Sequence, residues 1–135
     1  MKLYRYIDDL IIFGKNGIDI SIKTDFYPKY LKLNATSSNT LKANCLDLNI
    51  EIINDKIITK IYDKRQSFNF DIIKIPHWFS NLHINIFRNI LLNFKYRINR
   101  LTTTEYDKDK DLNMFYTYAI LKEYPINFLI TYLYS

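Results

Sequence analysis

The sequence predicts an α+β chain: two small antiparallel β-hairpins with one short helix, followed by a helical part of about three helices. Three observations carry that expectation. Residues 45–53, CLDLNIEII, alternate Leu46, Leu48, Ile50 and Ile52 against Asp47, Asn49 and Glu51, the period of a half-buried strand. The pair Asn54–Asp55 then leads into a second apolar run, KIITKIY at 56–62, as a hairpin requires. Residues 84–101 carry Ile84, Phe87, Leu91, Phe94, Ile98 and Leu101, an apolar stripe of helical period. The boundary is expected near residue 63, dividing the chain into a β-hairpin region at 1–63 and a helical region at 64–135.

The remaining elements follow in order. Residues 3–7 and 10–13 are Tyr-, Ile- and Leu-rich runs that read as strands, with Asp8–Asp9 as the turn between them, although glycine is the preferred residue there. GKNG at 14–17 breaks the chain. A short helix is expected within 18–27, ended by Pro28, because the residue before proline disfavours the helical conformation. YLKL at 30–33 reads as a short strand and NATSSNT at 34–40 as a polar loop. After Tyr62 an aromatic, turn-rich connector runs to residue 83. TTTEYDKDKD at 102–111 ends the long helix and caps the next, expected near 110–123. A last apolar segment at 125–134 opens on Pro125, a favoured first-turn residue.

Composition narrows the class. With 135 residues, 48% apolar and 16% aromatic, the chain can form a core and is unlike a disordered segment. A net charge of +5 permits a polyanionic partner without requiring one. The single cysteine, Cys45, excludes an internal disulfide framework, so an intracellular, reducing compartment is expected. Met1 leads directly into a charged segment rather than a leader peptide, and no apolar run is long enough to span a bilayer.

Two adjacent aspartates between apolar arms admit two readings. Like charges side by side repel, and neither is buried cheaply without a partner or a metal. Asp8 and Asp9 are therefore either a solvated turn or a place that holds cations. A rigid hairpin tip bearing carboxylates is what Mg²⁺ chemistry on phosphates uses, since that ion takes hard oxygen ligands and keeps several waters.

YRYIDDLIIF resembles the motif at the catalytic hairpin of reverse transcriptases. CLDLNIEI resembles the FLDL segment of Penelope-like reverse transcriptases, and KIITKIYDKRQSFNF is similar to that family's basic-aromatic segment. IPHWFSNLH continues its P…S pattern, and FKYRINRL falls where the family has an arginine-bearing thumb helix. The resemblance covers roughly residues 3–104. It implies the second half of a polymerase palm followed by a thumb. Asp8 and Asp9 then match the catalytic, metal-binding pair, Asp8 being the direct ligand, with Mg²⁺ as the ion. Leu46, Asp47 and Leu48 match the segment beside the primer end, and Arg97 and Arg100 match the thumb. Cys45 stands where the family has an aromatic residue. The family's third aspartate belongs to an earlier strand for which the sequence has no room, so the chain is expected not to polymerise nucleotides alone.

Beside that resemblance, Arg88 and Lys95 fall on one flank of the 84–101 helix and Arg97 and Arg100 on the other, with no acidic residue between 84 and 104. They are a solvated basic face or a phosphate-binding one. Lys60, Tyr62, Lys64, Arg65, Phe68 and Phe70 interleave cations with aromatics, as a single-strand or primer-end platform does, and Tyr62 reads equally as a core residue where sheet meets helices. Phe68 and Phe70 in the same stretch are expected to be core residues. His77 and His83 lack metal spacing, Cys45 is expected to be an inert thiol, and Asp107, Asp109 and Asp111 read as a solvated loop. The partner expected is an RNA–DNA or DNA primer–template. The alternative is a small interaction protein that docks a protein partner through its unpaired sheet edge, the partner completing the palm sheet.

Overall fold

The computed structural model describes residues 2–14, 41–70 and 72–134 together with positions 30 and 34. The short helix expected within 18–27, the strand at 30–33 and most of the loop at 34–40 lie outside the described residues. The architecture is α+β, with a two-stranded and a three-stranded antiparallel sheet and three helices.

Strands β1 (Lys2–Tyr6) and β2 (Asp9–Phe13) form the first hairpin, with Lys2 opposite Phe13 and Tyr6 opposite Asp9. The register places Ile7 and Asp8 at the turn, one residue earlier than expected, so Asp9 opens β2. Ile7 adopts φ 52°, a left-handed conformation that crowds a β-branched side chain. Arg5 Nε donates to the Ile7 carbonyl at 3.0 Å and braces this turn.

The second sheet has the order β3 (Lys42–Cys45), β4 (Leu48–Ile53), β5 (Lys56–Ile61). The expected β4–β5 hairpin is present, and Asn54 and Asp55 both hold positive φ, 49° and 60°, which their short polar side chains tolerate. The run at 45–53 is not one strand, however. It breaks at a Leu46–Asp47 turn, and Cys45 ends β3 rather than heading β4. Leu46 takes φ 53°. Cross-strand pairs fix β3 in register: Lys42 meets Glu51 at 2.7 Å and Asn49 donates to Asn44 at 2.6 Å.

The connector makes a 3₁₀ turn at Lys64–Ser67, capped by Asp63, whose carboxylate accepts from the Arg65 N–H. Helix α1 spans Ile84–Leu101, with His83 Nδ1 accepting from Asn85 N at its start. Helix α2 spans Glu105–Leu121, five residues earlier at its start than expected. Thr104 accepts from Asp107 N and donates to its carboxylate, so Asp107, Asp109 and Asp111 belong to the first turns of a helix and not to a loop. Acidic residues in that first turn complement the N-terminal dipole. Helix α3 is short, Ile126–Leu129, and continues as a π-helical turn over Ile130–Tyr134.

The core lies in the helical part. Phe87 and Leu91 of α1 pack with Phe115 and Ala119 of α2, with Leu129 and Leu133, and with Ile75 and Tyr124. Trp78 packs against Phe87, Tyr124 and Phe128 at tilted to edge-on angles, at the cluster's edge. Tyr124 donates to the Pro76 carbonyl, and burial pushes its phenol up to about 12. No described residue of the five strands is fully buried. The sheet is instead tied to the helices by polar contacts. Thr59 N donates to Thr103 Oγ1, Thr103 N returns to the Thr59 carbonyl, and Thr59 Oγ1 donates to the Leu101 carbonyl. No helix among the described residues is long and apolar enough to cross a membrane.

Candidate functional site

Two turns of the same construction stand at the site. Each places a bulky apolar residue at positive φ followed by an aspartate: Ile7–Asp8 between β1 and β2, Leu46–Asp47 between β3 and β4. Such a conformation costs about 1–3 kcal/mol and persists only where the surroundings impose it. The cross-strand pairing on either side of each turn supplies that constraint.

A groove of about 550 Å³ runs beside these turns, lined by Asp9, Lys42, Asn44, Leu46, Tyr62 and Lys64 among others. It unites residues from three separate stretches: the aspartate hairpin, the Leu46–Leu48 segment and the basic-aromatic run. Tyr62 is partly buried there, and its backbone N–H donates to the Asp47 carbonyl at 2.8 Å, which closes β5 against the turn. Partial burial, and then the nearby Asp9 carboxylate, push the Cys45 thiol up. A raised thiol pKa keeps the sulfur protonated and unreactive.

Asp8 and Asp9 are both exposed. Among the described residues no group of three or more His, Cys, Asp or Glu side chains is arranged to hold a metal ion. The hairpin tip offers two carboxylates, and a Mg²⁺ ion bound there would need water or phosphate oxygens to complete its shell.

The Asp47 carboxylate points to the helices and pairs with Arg97 Nη2 at 2.9 Å, across side chains that are 68% and 40% exposed. The primer-end segment and the thumb-like helix implied by the resemblance are therefore in direct contact. Arg65 is likewise engaged: Asp63 accepts from its Nε at 2.8 Å and from Lys74 Nζ at 3.1 Å. Partial burial alone raises the Asp63 pKa, but hydrogen bonds from Arg65 and then Lys74 outweigh it and hold it at about 2.

Arg65 and Arg97 face a second, larger groove of about 940 Å³ between the connector and helices α1 and α2, floored by Ile75, Phe94 and Phe115. Phe94 and Phe115 stack with centroids 3.7 Å apart. Lys60, Arg88 and Arg100 are exposed and Lys95 partly buried, and none of the four lines either groove. The expected residues thus divide: Asp9, Leu46, Tyr62 and Lys64 line the first groove; Arg65 and Arg97 line the second, with Arg97 paired to Asp47; Asp8, Leu48, Lys60, Arg88, Lys95 and Arg100 line neither.

One expectation about these side chains needs correction. Phe68 and Phe70 are not core residues: they are exposed by 48% and 61% and contact each other. The groove also recruits Lys42, Asn44 and Asn49, which sequence reasoning did not single out. Their signal is the complementarity of Lys42 with Glu51 and Asn44 with Asn49, readable only once the register is known. Comparison with protein-family models, curated proteins and solved structures finds no match.

Proposed function

We propose that the chain is the second half of a reverse-transcriptase palm with its thumb, of the Penelope-like kind, and that it holds a primer–template. The observation that carries this reading is the groove in which Asp9, Leu46, Tyr62 and Lys64 meet. Those residues come from three stretches whose resemblance to polymerase motifs concerns the metal site, the primer end and the basic-aromatic run. In this reading Lys64 contacts phosphate, Tyr62 and Leu46 abut the terminal nucleotide, and Asp8 and Asp9 hold one Mg²⁺ together with water and phosphate oxygens. Lys60, Arg65, Arg88, Lys95, Arg97 and Arg100 add phosphate contacts along the duplex. Polymerisation requires a further carboxylate beside the tip, and among the described residues no third one joins Asp8 and Asp9 there; in this reading a second polypeptide segment completes an active enzyme.

The experiment is fluorescence anisotropy with a labelled RNA–DNA primer–template, with and without Mg²⁺. Lys64→Ala is expected to weaken binding and lower the salt slope by about one. Mg²⁺ is expected to tighten binding by the wild type and to leave the Asp8→Asn/Asp9→Asn variant unchanged. Equal binding by the wild type and both variants would remove the groove from the interface and the reading with it.

A second reading rests on β1. All five of its residues are exposed, Leu3, Tyr4 and Tyr6 among them, and an exposed apolar strand at a sheet edge is a ready docking element for another protein. A protein partner completing the palm sheet would cover it.

A further inference from the structure

We propose that Phe68 and Phe70 form a stacking platform for a single-stranded extension of the bound nucleic acid, an inference that rests on the primer–template reading above. The 3₁₀ turn at Lys64–Ser67 is pinned by Asp63, which accepts from both the backbone and the side chain of Arg65. The chain leaves that turn extended at Phe68, with φ −89° and ψ 146°. The chain then bends through residues 68–70. The two rings lie together, centroids 5.3 Å apart and planes inclined by 40°. Both remain open to solvent, outside the hydrophobic cluster built from Ile75 onward.

Charge decides the occupant. Lys64, at the start of the same turn, is exposed, makes no ion pair among the described residues, and lines the groove that contains Asp9 and Tyr62. A ligand following the groove past Lys64 onto the two rings must carry negative charge at one point and planar apolar faces at the next. Unpaired nucleotides carry both, their phosphates meeting the ammonium and their bases the rings. Paired bases do not, because their faces are already stacked within the duplex. An apolar peptide would cover the rings and leave the ammonium without a partner.

The test uses three labelled probes: a blunt RNA–DNA duplex, the same duplex with a six-nucleotide single-stranded extension, and that single strand alone. The wild type is expected to bind the extended duplex about tenfold or more tightly than the blunt one, the scale of base stacking on aromatic side chains. Phe68→Ala/Phe70→Ala is expected to lose that increment while keeping its affinity for the blunt duplex. Phe68→Tyr/Phe70→Tyr, which preserves the faces, is expected to restore it. Equal affinity of the wild type for blunt and extended duplexes would overturn the platform and leave primer–template binding standing. Equal binding of the single strand and the extended duplex, with none of the blunt duplex, would overturn the primer–template reading and leave the platform standing, provided the alanine pair abolishes it. Binding of the single strand that survives the alanine pair would overturn the platform.

Discussion

Asp63 sits at the joint between sheet and helices and accepts four hydrogen bonds, from the Arg65 backbone, Arg65 Nε and Nη2, and Lys74 Nζ. Lys74 in turn lies over the Tyr118 ring of α2, and its backbone N–H donates to the Tyr118 hydroxyl. One carboxylate therefore fastens the connector to the second helix. Its pKa is held at about 2, below the ordinary 3.8. A group with a lowered folded-state pKa stabilises the fold above its unfolded value, and that stabilisation fades as pH falls through the folded value. In urea unfolding, the difference between wild type and Asp63→Asn should be on the order of 1–2 kcal/mol at pH 5. It should shrink steadily between pH 4 and pH 2. A difference that persists undiminished at pH 2 would show that the charge of Asp63 is not what matters.

At the scale of elements, the Leu46–Asp47 turn and α1 are joined by the ion pair Asp47–Arg97. Exposed pairs of this kind contribute about 0–1 kcal/mol, so the contact orients the two elements more than it stabilises them. It also occupies Arg97, which the proposed primer–template reading has contact phosphate. Asp47→Asn should leave the melting temperature within a few degrees and raise primer–template affinity several-fold, with the salt slope steeper by about one. Weaker binding by that variant would mean that Arg97 acts through its pairing and not as a phosphate ligand.

The elements differ in how far they could be read from the sequence. Helix α1 was legible to the residue, because six apolar side chains at helical spacing leave no competing pattern. The β4–β5 hairpin was legible because Asn54 and Asp55 tolerate the conformation its turn demands. The Leu46–Asp47 turn was not. Its apolar alternation continues unbroken from Cys45 to Ile53, and a leucine at positive φ carries no sequence signal. Strand β3 was hidden for a related reason: Lys42, Ala43 and Asn44 have weak strand preference, and their pairing with β4 overrides it. The capping of α2 is legible in the sequence but its start is not, because the charged residues 105–111 read as loop while Thr104 and Asp107 close a capping arrangement around them. Of the site, Asp9, Leu46, Tyr62 and Lys64 stand out in the sequence itself. Their meeting in one groove depends on the turn that the sequence concealed.

The whole molecule is unevenly packed. Every fully buried described residue lies between Ile75 and Leu133, while β1 to β5 hold apolar side chains only half covered or exposed. The hydrophobic cluster is built within the helical part, and hydrogen bonds at Thr59–Thr103 and the ion pair Asp47–Arg97 join the second sheet to it. A sheet in that condition fits a surface that works against something else. On this account the something else is a polyanion, met by the groove at Lys64 and by the arginines of α1. The direct measurement is the affinity of the wild-type chain for a labelled RNA–DNA primer–template between about 50 and 300 mM salt. Each phosphate neutralised adds close to one unit to the logarithmic slope. The account predicts tight binding at low salt that falls with a slope of about −3 or steeper. No binding at the lowest salt, or binding indifferent to salt, would contradict it.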